Sequence, residues 1–264
     1  MIHPGNTASA LTRAGTLASL RVGNQEKMQR RNFVRACAAA GVIASVPELI
    51  GAALAQGAAK PRFYGRARLV DAGGRPVKSK ALPVGQNLIF HYPFAGTPCF
   101  LLNLGKPVRT SVVLKTADAR DYEWTGGAGA AGSVVAYSAI CAHKLTYPTR
   151  EISFISYRAE KTPGNRHAQV IHCCSEHSQY DPAAGGRVLA GPAPQPLAAI
   201  LLDYDRAADE LYAVGTVGGE MFDEFFAKYE FRLALEHGDR ARAGVDGPCV
   251  VRELADYCRQ QVKC

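Results

Sequence analysis

Two short segments of this 264-residue chain each pair a thiol with an imidazole. Cys141-Ala142-His143 ends one run of β-favouring residues, and Cys174-Ser175-Glu176-His177 ends another. Two thiolates and two imidazoles brought together from separate loops suit either of two centres. One is a [2Fe–2S] cluster with both sulfurs on one iron and both nitrogens on the other. The other is a structural Zn2+ in a tetrahedral Cys2His2 site without redox activity. Either box alone arises easily by chance, whereas the pair is more specific.

Ligands of this kind need a rigid frame. From residue 62 to residue 214 the chain reads as short β-rich runs broken by Gly and Pro. Strands are predicted at Phe63–Val70, Asn87–Tyr92, Cys99–Leu104, Ser111–Lys115, Ser133–Ile140, Ile152–Tyr157, Gln169–His172, Ala199–Tyr204 and Glu210–Val214. Many short strands without interleaved amphipathic helices indicate an antiparallel sandwich or barrel. Gly127-Ala-Gly-Ala-Ala-Gly132 matches G-x-G-x-x-G, but a strand-like run follows where a dinucleotide site needs a helix. After Gly219, Phe222, Phe225, Phe226, Tyr229 and Leu233 recur at helical spacing, a stripe expected to pack on its own domain. A second helix is predicted from Pro248 through Val250, Leu254 and Val262. The organisation expected is thus an N-terminal segment over 1–55, a β-domain over 56–217 and a helical extension over 218–264.

The sequence around the two boxes resembles the Rieske iron–sulfur proteins. His177-Ser-Gln-Tyr180-Asp181-Pro182, Gly185-Gly186-Arg187-Val188 and Gly191-Pro192-Ala193-Pro194 follow the second box in family order. Tyr92-Pro93, Pro98-Cys99-Phe-Leu-Leu102 and Val135-Ala-Tyr-Ser-Ala-Ile-Cys141 look most like the small subunit of arsenite oxidase and its periplasmic relatives. The resemblance spans roughly residues 87–214. It implies an electron-transfer protein or subunit, not catalytic alone. The implied fold is an antiparallel β-sandwich or barrel with a smaller β-subdomain inserted to hold the cluster. The implied ligands are Cys141, His143, Cys174 and His177. Ser178 and Tyr180 are implied as hydrogen-bond donors to the cluster sulfurs, and Gly191, Pro192, Ala193 and Pro194 as the loop covering it. The second box stays ambiguous. C-x-x-H spacing selects Cys174, whereas counting back from Tyr180-Asp181 selects Cys173. Thr146 and Glu176 stand where many of these proteins have two further cysteines, so the disulfide usual between the cluster loops is not expected. Residues 151–168 look like an inserted hairpin. The residues after 214 are too few for an oxygenase domain with its own mononuclear iron site.

Of the remaining thiols, Cys99 reads as a small buried hydrophobe. Cys249, Cys258 and Cys264 cluster near the C-terminus, where a disulfide between two of them is expected in an oxidising compartment. The segment from Met28 onward carries Arg30-Arg31, an uncharged stretch over 36–47 and Ala53-Leu54-Ala55. This order resembles a twin-arginine export signal and implies a periplasmic protein, anchored to the inner membrane if the signal is not cleaved. Met28 is the expected start. Lys and Arg total 31 against 23 Asp and Glu, a formal charge of +8. Half of that excess lies in residues 1–55, and the rest forms no dense basic stripe, which argues against a nucleic-acid partner. The expected partner is a redox protein: a molybdenum oxidase subunit, a c-type cytochrome or a quinol-oxidising membrane complex.

Overall fold

The computed structural model describes residues 57–108, 111–162 and 164–264, so the export signal expected over 1–55 lies outside the described residues. The chain is mainly β. Its strands are β1 (Arg62–Val70), β2 (Leu88–His91), β3 (Pro98–Asn103), β4 (Val112–Lys115), β5 (Asp121–Trp124), β6 (Val134–Ser138), β7 (Ile152–Ser153) and β8 (Ile155–Arg158). They continue as β9 (Val170–Cys173), β10 (Ser178–Asp181), β11 (Arg187–Ala190), β12 (Ala199–Asp205), β13 (Glu210–Val217), β14 (Gly247–Val250), β15 (Arg252–Glu253) and β16 (Gln260–Gln261).

An eight-stranded sheet runs in the order β14-β1-β13-β12-β6-β3-β2-β15. Its central strands are apolar on both faces because both faces are covered. Every residue of β3 is buried. Phe100 and Leu102 enter one core, and Cys99 and Leu101 enter another, as alternation along a strand requires. The second core draws on seven strands of this sheet, from Ala67 and Leu69 of β1 to Phe90 of β2 and Cys249 of β14, and so fills the inside of a near-barrel. The first core lies outside it. There Phe100, Val135 and Tyr137 of the large sheet meet Ile155, Ile171, Cys173 and Tyr180 of a separate four-stranded sheet, β11-β10-β9-β8. That smaller sheet is the inserted subdomain the resemblance implies.

The helix at Phe222–His237 forms as its spacing predicts, with Asp223 and Glu224 in the first turn, where the helix dipole favours acids. Its stripe packs within the same domain, with Phe222, Phe225, Phe226 and Leu233 buried against Ile140, Leu145 and Tyr147. The predicted second helix does not form. Residues 247–250 instead add a parallel strand to the edge of β1, and residues 252–253 pair antiparallel with β2. One continuous segment therefore caps both edges of the large sheet. Those edges would otherwise expose unpaired N–H and C=O groups, a demand that outweighs local helix propensity. Only Leu254–Tyr257 remains helical. The run predicted as one strand at 152–157 is split between β7, which pairs with β16, and β8, which pairs with β9. No helix among the described residues is long and apolar enough to cross a membrane.

Candidate metal centre

The first box leaves the end of β6 and closes on itself. The Cys141 N–H donates to the Thr146 carbonyl at 2.8 Å, and the Leu145 N–H returns to the Cys141 carbonyl at 2.9 Å. Leu145 holds a left-handed φ of 61° to complete the turn. Within it, the amides of His143 and Lys144 donate to the Cys141 sulfur. The long helix supports this turn from behind, where Tyr147 meets Phe225 at 4.9 Å between ring centroids. Lys228 Nζ also donates to the Lys144 carbonyl at 2.6 Å.

The second box is the tip of a hairpin. β9 and β10 pair Cys173 with Ser178, leaving Cys174–His177 as the connecting loop. Here the amides of Ser175 and Glu176 donate to the Cys173 sulfur. Each of two buried sulfurs thus receives two turn amides. The thiols of Cys141 and Cys173 face each other closely enough to hydrogen-bond. Donation from Cys173, helped by Tyr180 and the turn amides, holds the Cys141 thiol down to about 6. The same contact, with burial, pushes Cys173 up.

The Tyr180 hydroxyl joins the pair. The Tyr180 hydroxyl lies 3.2 Å from Cys141 Sγ and accepts from the Ala142 amide at 3.1 Å, which leaves its proton for the sulfur. His143 Nδ1 and Ser178 Oγ are buried, and neither has a hydrogen-bond partner among the described residues. Buried polar atoms without partners are uncommon and call for a missing ligand. Across the gap between the boxes, Lys144 Nζ and a Glu176 carboxylate oxygen lie 3.5 Å apart.

The structure places the remaining predicted ligands elsewhere. Cys174 is bonded to Cys264, with Cα atoms 5.7 Å apart, so its sulfur has no free thiolate to offer. Of the two cysteines that the sequence left open, Cys173 is the one with a free thiol. The His177 ring turns to His172, with centroids 5.9 Å apart. His172 precedes Cys173 in β9 and so leaves the strand on the opposite face. It is fully buried there, and burial, His177 and Arg158 lower its imidazole to about 4. The disulfide expected among Cys249, Cys258 and Cys264 is also corrected: Cys264 pairs with Cys174, while Cys249 and Cys258 are free. Strand alternation was the available signal for Cys173, because Ile171, Cys173 and Tyr180 all face the first core.

The loop at Gly191–Pro194 lies against the second box. Gly191 has a φ of 87°, and a Cβ there would stand 2.5 Å from Ser178 Cα and 2.6 Å from the His177 carbonyl oxygen. Both the conformation and the contact require glycine. Gly191→Ala is expected to lower unfolding stability by about 1–3 kcal/mol, measured by denaturant titration. An unchanged midpoint would mean that the loop does not rest on the box.

No family model matches the chain. Among solved structures, it is similar to the crystal structure of the soluble domain of the Rieske protein II (soxF) from Sulfolobus acidocaldarius. The two are 25% identical, the match covers 60% of this chain and 82% of that one, and the TM-score is 0.41.

Proposed function

We propose that this protein is a Rieske-type electron carrier, exchanging single electrons with a redox partner. One observation carries the reading: Cys141 and Cys173, two free thiols from separate boxes, are buried in the same core, with the Tyr180 hydroxyl 3.2 Å from the Cys141 sulfur. A [2Fe–2S] centre held there supplies one-electron oxidation and reduction. Cys141 and Cys173 would bind one iron, and His143, through its unpartnered Nδ1, would bind the other. For the fourth place we propose Glu176, which follows Cys173 at the C-x-x spacing and lies beside Lys144 of the first box, in preference to His177, whose ring turns to His172. Tyr180 and Ser178 offer hydroxyl donors to the sulfurs, and the Gly191–Pro194 loop rests on the second box through Gly191.

Export by a twin-arginine route accords with this reading, since that route carries folded proteins with their cofactors in place. A molybdenum oxidase subunit of the arsenite-oxidase kind, a c-type cytochrome and a quinol-oxidising complex all suit a carrier of this type. Protein-film voltammetry tests the function. A reversible one-electron wave without catalytic current is expected, and a redox-silent film would overturn it.

Tyr180 should tune the potential. Reduction adds negative charge near the sulfurs, so the Tyr180 O–H stabilises the reduced form more than the oxidised. A differential of about 1 kcal/mol corresponds to roughly 40 mV for one electron. Tyr180→Phe is expected to keep the cluster and lower its potential by tens of millivolts in a potentiometric titration. An unchanged potential would reduce Tyr180 to packing.

A further inference from the structure

We propose that Cys174, Cys264, His172 and His177 form a second, redox-gated metal site that takes Zn2+ when the Cys174–Cys264 disulfide is reduced. Donor atoms of His172, His177 and Cys264 all lie within 4.8 Å of one another. Cys174 is disulfide-bonded to Cys264, so reduction would free its thiol beside this three-donor group as the fourth ligand. Two sulfurs and two imidazole nitrogens are the donor set of a closed tetrahedral zinc site. With Zn–S near 2.3 Å and Zn–N near 2.0 Å, a tetrahedron has S···N edges of about 3.5 Å. Cys264 Sγ already stands 3.4 Å from His172 Nδ1.

The site is independent of the proposed cluster and uses none of its ligands. His172 leaves β9 on the face opposite Cys173, and Cys174 and His177 occupy the two ends of the hairpin loop. The C-terminal chain is held beside them. Gln260 and Gln261 pair with β7, and the Val262 amide donates to the Ser153 carbonyl at 2.8 Å, which brings Cys264 to the box. His172 is fully buried, whereas His177 is exposed and leaves a path for the ion.

The chemistry balances. A dithiol passes two electrons and two protons to the S–S bond and becomes a disulfide itself, leaving Cys174 and Cys264 as thiols. Zinc then binds as both thiols release their protons to solvent, and two thiolates neutralise the ion. Loss of zinc followed by oxidation restores the bond. The disulfide and the metal are therefore alternative ways of fastening the C-terminus to the second box.

The full-length protein can be tested with its cluster in place. One sample is kept oxidised, another is reduced with excess dithiol and desalted without oxygen, and both are dialysed against Zn2+. The reduced protein should retain one zinc ion per chain, with two sulfur and two nitrogen neighbours by zinc K-edge absorption, and the oxidised protein none. His172→Gln and His177→Gln should each weaken retention at least ~100-fold, since losing even an outer partner of a metal ligand costs about 10–100-fold. Equal zinc in both oxidation states, a shell of sulfur alone, no zinc in the reduced protein, or unchanged affinity in both variants would overturn the site.

Discussion

Cys173→Ser should abolish the visible absorption of the purified protein and its iron, whereas Cys174→Ser should keep both. The two cysteines are neighbours, yet the strand ending at Cys173 sends their sulfurs to different places. Cys173 sits in the core shared by the two sheets, opposite Cys141, with the Ser175 and Glu176 amides on its sulfur. A hydroxyl there keeps the shape of the site but removes a thiolate, the soft ligand that iron–sulfur chemistry needs. Cys174 is tied to Cys264 and contributes to anchoring the C-terminus. Its loss should cost stability without bleaching the protein. Absorption spectra and iron analysis of the two variants decide the matter. A bleached Cys174→Ser beside a coloured Cys173→Ser would return the ligand to Cys174.

Glu176→His should raise the reduction potential by on the order of 100–300 mV. Exchanging two anionic thiolates for two neutral imidazoles takes a [2Fe–2S] centre from about −400 mV to between roughly −150 and +300 mV. Each negative charge removed from the ligand set is therefore worth about 125–350 mV on that scale. A carboxylate at the fourth position keeps one of those charges. The unaltered protein should accordingly titrate in the lower half of the interval between about −400 and +300 mV. Converting Glu176 to His removes the charge and leaves Lys144 without its acidic partner, which acts in the same direction. A potentiometric titration followed by EPR measures the shift. An unmoved potential in a loaded variant would show that Glu176 is not a ligand.

Most of the strand framework was legible because it rests on strong local signals. Apolar runs such as 99–102 and 134–137 have nowhere to go but a sheet covered on both faces. The aromatic stripe of the long helix was equally plain. The C-terminal segment was misread because its pattern of Val250, Leu254 and Val262 suits a helix locally. Its conformation is set by distant partners, the open edges of β1 and β2, and periodicity cannot report those. β5, β10 and β11 were missed for a related reason: Asp121–Trp124 and Ser178–Asp181 are polar and acquire strand structure from their neighbours. At the site, Cys141, His143, Ser178 and Tyr180 were legible in the sequence, and the structure brings the Tyr180 hydroxyl to the Cys141 sulfur. The sequence left Cys173 and Cys174 both open as the ligand, and Glu176 was legible only as standing where many of these proteins have a further cysteine. Cys174 instead pairs with Cys264, 90 residues away, and the His177 ring lies near His172 and Cys264, contacts that spacing alone does not report.

The central claim is that Cys141, Cys173, His143 and Glu176 hold an iron–sulfur cluster, and nitrogen hyperfine spectroscopy tests it most directly. Anaerobically reduced protein is examined by pulsed EPR before and after 15N labelling of histidine, beside His143→Gln and His177→Gln. The account predicts a [2Fe–2S] signal with strong coupling to one histidine nitrogen, lost in His143→Gln and untouched in His177→Gln. A colourless, EPR-silent protein would contradict it, as would coupling to two histidines of which one vanishes in His177→Gln.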